Sequence, residues 1–223
     1  MKKGSGEEAA YDLDAIYRHH ITPSHMYKKH GNMEKVTDVK SIGCGAYHSL
    51  LILMDGSLWV CGLNNYSQLG LGDTEPRSVL HEVTALSHEI LAMAKGGVHH
   101  TLVLTSEGKL LAFGRGDSGQ LGAPGASEGS AGGFSSSPLE PALPAGTKAT
   151  SIACGGNHNL VVTSEGDVYS WGYGDMLALG HGLEQDEPLP KKLNFSKARI
   201  DKIKVTQIAG GGQHSAIIGI INR

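Results

Sequence analysis

The sequence predicts an all-β chain of propeller blades, a partial β-propeller with about three full four-stranded blades and part of a fourth. Three observations carry this reading: a segment that occurs three times and begins a fourth, fixed glycine spacings inside each copy, and short apolar runs broken by tight-turn signals. Composition agrees. Of 223 residues, 39% are apolar and 18% charged, which suits a folded chain. The 32 Gly against only eight Pro indicate many turns rather than a collagen-like or Pro/Gly low-complexity chain.

The three copies run from Gly45 to Gly62, Gly96 to Gly114 and Gly155 to Gly172, and a fourth opens at Gly211-Gly212-Gln213-His214. In each, an apolar run comes first: Leu50 to Met54, Leu102 to Thr105 and Leu160 to Thr163, as expected for strands buried on both faces. Gly56, Gly108 and Gly166, each preceded by Asp or Glu, then supply the positive-φ residue of a hairpin turn. A second strand follows, over Leu58 to Cys61, Leu110 to Phe113 and Val168 to Trp171. It ends six residues beyond the turn glycine, at Gly62, Gly114 and Gly172, and eight further on stands the Gly of a Leu-Gly pair, Gly70, Gly122 and Gly180. These nine glycines are read as blade-structural. A further strand precedes each Gly-Gly-x-His, over Lys40 to Gly43, Ile90 to Ala94, Ala149 to Ala153 and Lys204 to Ala209, its small residues suiting a crowded approach.

Blades are therefore expected around residues 40–90, 91–148 and 149–203, with final strands at 204–223. Residues 1–20 read as a flexible lead-in or the remnant of a preceding blade, with Glu7 to Arg18 the one window of helical character. The Gly- and Ser-rich stretch from Ala123 to Gly146 is expected to be a mobile surface insertion, and the basic run from Lys191 to Lys204 a solvated connector.

Several function classes are excluded. A net charge of −3 argues against binding nucleic acid by charge alone. The longest apolar stretches, Leu50 to Met54 and Ala216 to Ile221, fall far short of the roughly 20 residues that cross a bilayer, so no membrane partner is expected. The opening Met1-Lys2-Lys3 lacks the apolar core of a secretory signal. Cys44, Cys61 and Cys154 are odd in number and widely spaced, so they read as reduced structural residues rather than a disulfide or zinc framework. Gly114-Arg-Gly-Asp-Ser-Gly119 fits a dinucleotide fingerprint and contains a hydrolase-like Gly-Asp-Ser118-Gly, but it lacks the following helix and sits in a repeat-internal turn. No cofactor and no metal are expected. The histidines at equivalent positions, His48, His99 or His100, His158 and His214, would lie far apart around a propeller ring, which favours a structural role. His48 and His158 are read as holding blade to blade.

Taken together, the Gly-Gly-x-His strand start, the Asp/Glu-Gly hairpin, the Phe113-Gly and Trp171-Gly strand ends and the Gln-Leu-Gly of Ser67 to Gly70 and Gly119 to Gly122 resemble repeats of the regulator of chromosome condensation family. The resemblance runs from about Ile21 to the C-terminus, and the motif order is similar to the C-terminal half of the family's seven-bladed Ran exchange factor. It implies guanine-nucleotide exchange on the small GTPase Ran through one propeller rim, without covalent chemistry, and residence in the nucleus or cytoplasm. It implies GTPase contacts at His214 and at His99 or His100; counting from Gly97 selects His99, whereas counting back from Gly108 selects His100, as though repeat 2 held one extra residue. The acidic residues the family uses on that rim have no match here. Implied partners are a Ran-type GTPase, chromatin or the nucleosome and, for a ring cut in the middle, self-association or a missing N-terminal half. Trp59, Phe113 and Trp171 would hold the blades. The alternative implied by the same repeats is a non-exchanging scaffold, such as a ubiquitin-ligase accessory module.

Overall fold

A computed structural model of the chain describes residues 27–30, 32–126, 133–195 and 203–221; the lead-in at 1–20 and the helical window from Glu7 to Arg18 lie outside them. Strands β1 (Tyr27–His30) and β2 (Asn32–Lys35) form a hairpin. The first blade is an antiparallel meander of β3 (Val39–Cys44), β4 (His48–Leu53), β5 (Leu58–Gly62) and β6 (Arg77–Glu82), and β1 joins its outer edge by pairing in parallel with β6. The second blade contains β7 (Leu91–Gly96), β8 (His100–Thr105), β9 (Leu110–Arg115) and β10 (Phe134–Leu139). The third contains β11 (Ala149–Cys154), β12 (His158–Thr163), β13 (Val168–Gly172) and β14 (Glu187–Lys192). A two-stranded sheet, β15 (Ile203–Gly210) and β16 (Ser215–Ile221), follows.

Burial explains the strand composition. Every residue of β8 and β12 is buried, and in β4 only Ser49 is not fully so, because the second strand of each blade lies in the core. Apolar side chains cross from blade to blade. Leu50 and Leu69 of the first blade cluster with Val103 and Phe113 of the second, and Leu102 and Leu121 of the second cluster with Val161 and Trp171 of the third. Trp59 packs instead inside its own blade, with Leu51, Cys61 and Leu80. Small residues line the first strands: a Cβ on Gly43 would collide with the Ala94 carbonyl of the next blade, and one on Gly96 would fall 2.6 Å from the Gly45 backbone.

Two expectations are corrected. The stretch read as a surface insertion contains β10, which pairs with β9, and Lys191 and Lys192 belong to β14 rather than to a connector. Both are outermost strands with much of their surface in water, so Phe-Ser-Ser-Ser-Pro-Leu and Glu-Pro-Leu-Pro-Lys-Lys need neither apolar alternation nor every backbone donor. Lys191 pairs with Glu187, and Lys192 reaches Asp167 at 2.5 Å.

The nine repeat glycines all have positive φ, between 66° and 117°. The turn before each Leu-Gly pair bends through a further left-handed residue, Ser67 (φ 59°), Gly119 (φ 77°) and Leu177 (φ 59°). A leucine there carries steric strain that repeat 2 avoids with glycine. Leu177→Gly should therefore stabilise the chain by about 1 kcal/mol in urea unfolding, after allowing for the greater freedom of glycine in the unfolded state. A lower midpoint would show that the Leu177 side chain contributes more than its backbone costs.

Candidate functional site

Contacts at glycine fix the register of the four repeats. A Cβ on Gly45 would collide with the ring of His48, one on Gly97 with His100, one on Gly155 with His158 and one on Gly211 with His214. Gly45, Gly97 and Gly155 each stand eleven residues before a hairpin glycine, so repeat 2 contains no extra residue; Gly96 occupies the strand-end place of Cys44 and Cys154. His100 therefore corresponds to His48, His158 and His214, whereas His99 corresponds to Tyr47, Asn157 and Gln213.

The first set forms the joints between blades. His48 Nε2 lies 2.9 Å from Thr101 Oγ1, and Thr101 Oγ1 donates to the Gln68 carbonyl at 2.6 Å. His100 Nε2 lies 2.9 Å from Asn159 Oδ1, while Asn159 Nδ2 donates to the Gln120 carbonyl at 2.7 Å. His158 Nε2 lies 3.0 Å from Ser215 Oγ, which donates to the Ala178 carbonyl at 2.7 Å. Each chain leaves one blade, touches the next and returns. Because the hydroxyl hydrogens of Thr101 and Ser215 are committed to carbonyls, and Asn159 Oδ1 can only accept, the histidines donate through Nε2–H and are neutral. Among the described residues the opposite ring nitrogens of His48 and His100 are buried without a partner, so protonation there would bury an unanswered N–H. Burial accordingly lowers His48 to about 3 and His100 to about 4, and it lowers His158 as well. Burial also pushes the thiol of Cys61 up to about 11 and that of Cys154 up to about 12, which removes their nucleophilic character.

The second set is less buried: Tyr47 and Gln213 are exposed and His99 and Asn157 half-buried, with His99 Nδ1 and Asn157 Oδ1 buried and unpaired among the described residues. Backbone donors following the strand-end glycines hold it in place: Leu63 N–H donates to the Tyr47 carbonyl, Arg115 N–H to that of His99 and Tyr173 N–H to that of Asn157, at 2.8, 2.8 and 2.9 Å. Across the first two blades these positions build an aromatic and cationic patch. His99 stacks on Tyr47 with ring centroids 5.6 Å apart and meets Tyr66 at 4.8 Å, and the Arg115 guanidinium lies 5.2 Å over the Tyr66 ring. Asp117 holds Arg115 by a 2.7 Å ion pair. Partial burial, and then Arg115, lower the His99 pKa, so its ring is uncharged at neutral pH. Tyr47 is 55% exposed. Tyr, Arg and His in one half-buried patch can form the centre of a protein interface.

The candidate histidines therefore separate. His100, like His48 and His158, is buried in a blade joint, His99 lies in the aromatic patch, and His214 is exposed in the turn between β15 and β16, in the register of the joints. Sequence reasoning missed Thr101, Asn159 and Ser215, although a small polar residue follows the joint histidine in all four copies, at Ser49, Thr101, Asn159 and Ser215. It also missed Tyr47, Tyr66 and Arg115, which come from two turns and the end of β9 and carry no shared motif. Among the described residues no three His, Cys, Asp or Glu side chains form a metal-binding group.

Sheets joined side by side by histidine relays define a β-propeller repeat protein. Residues 4–217 match the RCC1-like domain, and the chain belongs to that family. It is 35% identical over 198 residues to Protein pim1 of Schizosaccharomyces pombe, covering 83% of this chain and 36% of that protein. Against the human Regulator of chromosome condensation the identity is 34%, covering 78% of this chain and 40% of the relative. Against the Arabidopsis thaliana Ultraviolet-B receptor it is also 34%, with 67% and 33% covered. The chain thus spans little more than a third of the length of these relatives. Among solved structures it is similar to Prp20p from Saccharomyces cerevisiae, a protein described with its binding to Gsp1p and histones, at a TM-score of 0.75 and 26% identity over 86% of this chain and 46% of that one.

Proposed function

We propose that this chain supplies part of the GTPase-binding rim of a guanine-nucleotide exchange factor for a Ran-type small GTPase in the nucleus. The observation that supports the reading is the Tyr47–His99–Tyr66–Arg115 patch, whose residues stand beside the repeat motifs at Gly45, Gly70, Gly97 and Gly114. Exchange of this kind needs no bond to be made or broken. A rim that binds the nucleotide-free GTPase more tightly than the loaded form weakens nucleotide affinity by the same factor, because the two affinities are linked. His99 would meet the GTPase as a neutral, pre-stacked ring, with little side-chain entropy left to lose. His214 shares the register of the joint histidines, so its contribution would come through the packing of its own turn, where its ring crowds Gly211, rather than through direct contact. Contact with chromatin is proposed by likeness to Prp20p alone.

The test is the release of fluorescently labelled GDP from Ran with the full chain added. Acceleration should fall about tenfold on His99→Ala, the loss of one central interface side chain. Acceleration that survives this substitution would remove His99 from the site. Similarity of the same order to the Ultraviolet-B receptor favours a second reading, a propeller that binds partners without exchange. Capture of nucleotide-free Ran without faster GDP release would select it.

A further inference from the structure

The outermost strand of each blade departs from its ladder at the same place. Three of its residues stand opposite one residue of the neighbouring strand: 78–80 opposite Cys61, 136–138 opposite Phe113 and 188–190 opposite Trp171. A bulge of this kind takes its residues out of the ladder and bends the strand. The middle residue is the half-buried Val79 in the first blade and Leu189, 40% exposed, in the third. In the second blade it is Ser137, which is exposed and followed by Pro138.

The surroundings suit this hydroxyl to modification. The segment is extended, as part of β10, and β10 is the outermost strand of its sheet, so one edge faces away from β9. Among the described residues the Ser137 hydroxyl makes no hydrogen bond, whereas Ser135 Oγ donates to the Ser137 carbonyl at 2.8 Å. Pro138 has no N–H, so a cleft that closes over the residue after the serine need not supply an acceptor there. Ser137-Pro138 is also the only Ser-Pro or Thr-Pro pair among the described residues. Its neighbours Ser135 and Ser136 are half-buried and lack a following proline.

We propose that Ser137 is a phosphorylation site for a proline-directed protein kinase. The Ser137 oxygen bonds to the γ-phosphorus of the ATP that the kinase holds, the bond from that phosphorus to the β-phosphate oxygen breaks, and ADP leaves. The hydroxyl proton passes to the kinase's carboxylate base and then to water. The product carries about −1.5 to −2 of added charge on the outer edge of the second blade. Because Ser137 stands in water, the fold tolerates that charge.

The test treats the folded full chain with a purified mitogen-activated protein kinase and ATP, and maps the phosphate by mass spectrometry. A Thr22→Ala background removes Thr22-Pro23, the other such pair in the sequence. One phosphate on Ser137 is expected, entering at a rate comparable with that of a free peptide of residues 133–143 and leaving the melting temperature unchanged. Pro138→Ala should slow the reaction at least about tenfold in chain and peptide alike, the cost of one enclosed N–H without an acceptor. Ser137→Ala should abolish it. Phosphate on the peptide but not on the folded chain, on neither, on Ser135 or Ser136 instead, or undiminished by Pro138→Ala would overturn the proposal.

Discussion

Gly122→Val should abolish folding at 37 °C. Gly122 has φ 66°, and a Cβ there would stand 2.5 Å from Nε1 of Trp171, a side chain with no exposed surface. A β-branched residue in the left-handed region adds strain to that overlap, and the combined cost exceeds about 4 kcal/mol, a large share of the ~5–15 kcal/mol by which domains are stable. Gly182→Ala separates the two contributions, because Gly182 has φ 79° with nothing within 4 Å of its Cβ position. It should cost only about 1 kcal/mol, for the backbone alone. Thermal melting followed by circular dichroism compares them; similar midpoints for the two variants would mean that the seat under Trp171 is not a blade joint.

Acid should unfold the chain well before its carboxylates are neutralised. The folded-state pKa values of His48 and His100, about 3 and about 4, lie below the ordinary value of 6.5, so the unfolded chain binds more protons as pH falls. The stability these groups confer is fully present above pH 6.5 and is lost progressively below it, toward about pH 4 for His100 and about pH 3 for His48. Each contributes a slope of about 1.4 kcal/mol per pH unit in that window. Urea unfolding between pH 7.5 and 4.5 should show stability falling steeply below pH 6.5, and His100→Gln, which keeps a side-chain N–H donor but does not titrate, should flatten the slope. A profile flat through this range, or one unchanged by His100→Gln, would mean that the joints tolerate charge.

The legible part of this fold is the part governed by glycine. Where the chain must bend left-handed or pass within contact distance of another backbone, only one residue type serves, so Gly56, Gly62 and Gly70 and their counterparts repeat at fixed intervals and mark the hairpins. The outermost strands were illegible for the opposite reason. With much of their surface in water, β10 and β14 can be built from Ser, Pro and Lys, and nothing in such a composition separates strand from loop. The β1–β2 hairpin beyond β6 escaped notice in the same way, since Tyr27 to Lys35 has no apolar alternation.

The site was half legible. The recurring histidine marked the joints, but which of His99 and His100 belonged to them depended on treating Gly96 as a strand residue rather than as half of a Gly-Gly pair, and only the crowding of His100 against Gly97 decides that. The patch gathers Tyr47, Tyr66 and His99 from three turns and Arg115 from the end of β9, and no spacing within one segment foretells their meeting.

Adjacent histidines differ in place: His100 closes a blade joint, and His99 is the residue proposed to meet the partner. Paired alanine substitutions test this directly, with melting temperature and affinity for nucleotide-free Ran measured on both variants. The expected result is that His99→Ala melts with the unsubstituted chain but binds Ran about tenfold more weakly, while His100→Ala melts many degrees lower. Unweakened binding by His99→Ala, or an unchanged melting temperature for His100→Ala, would contradict it.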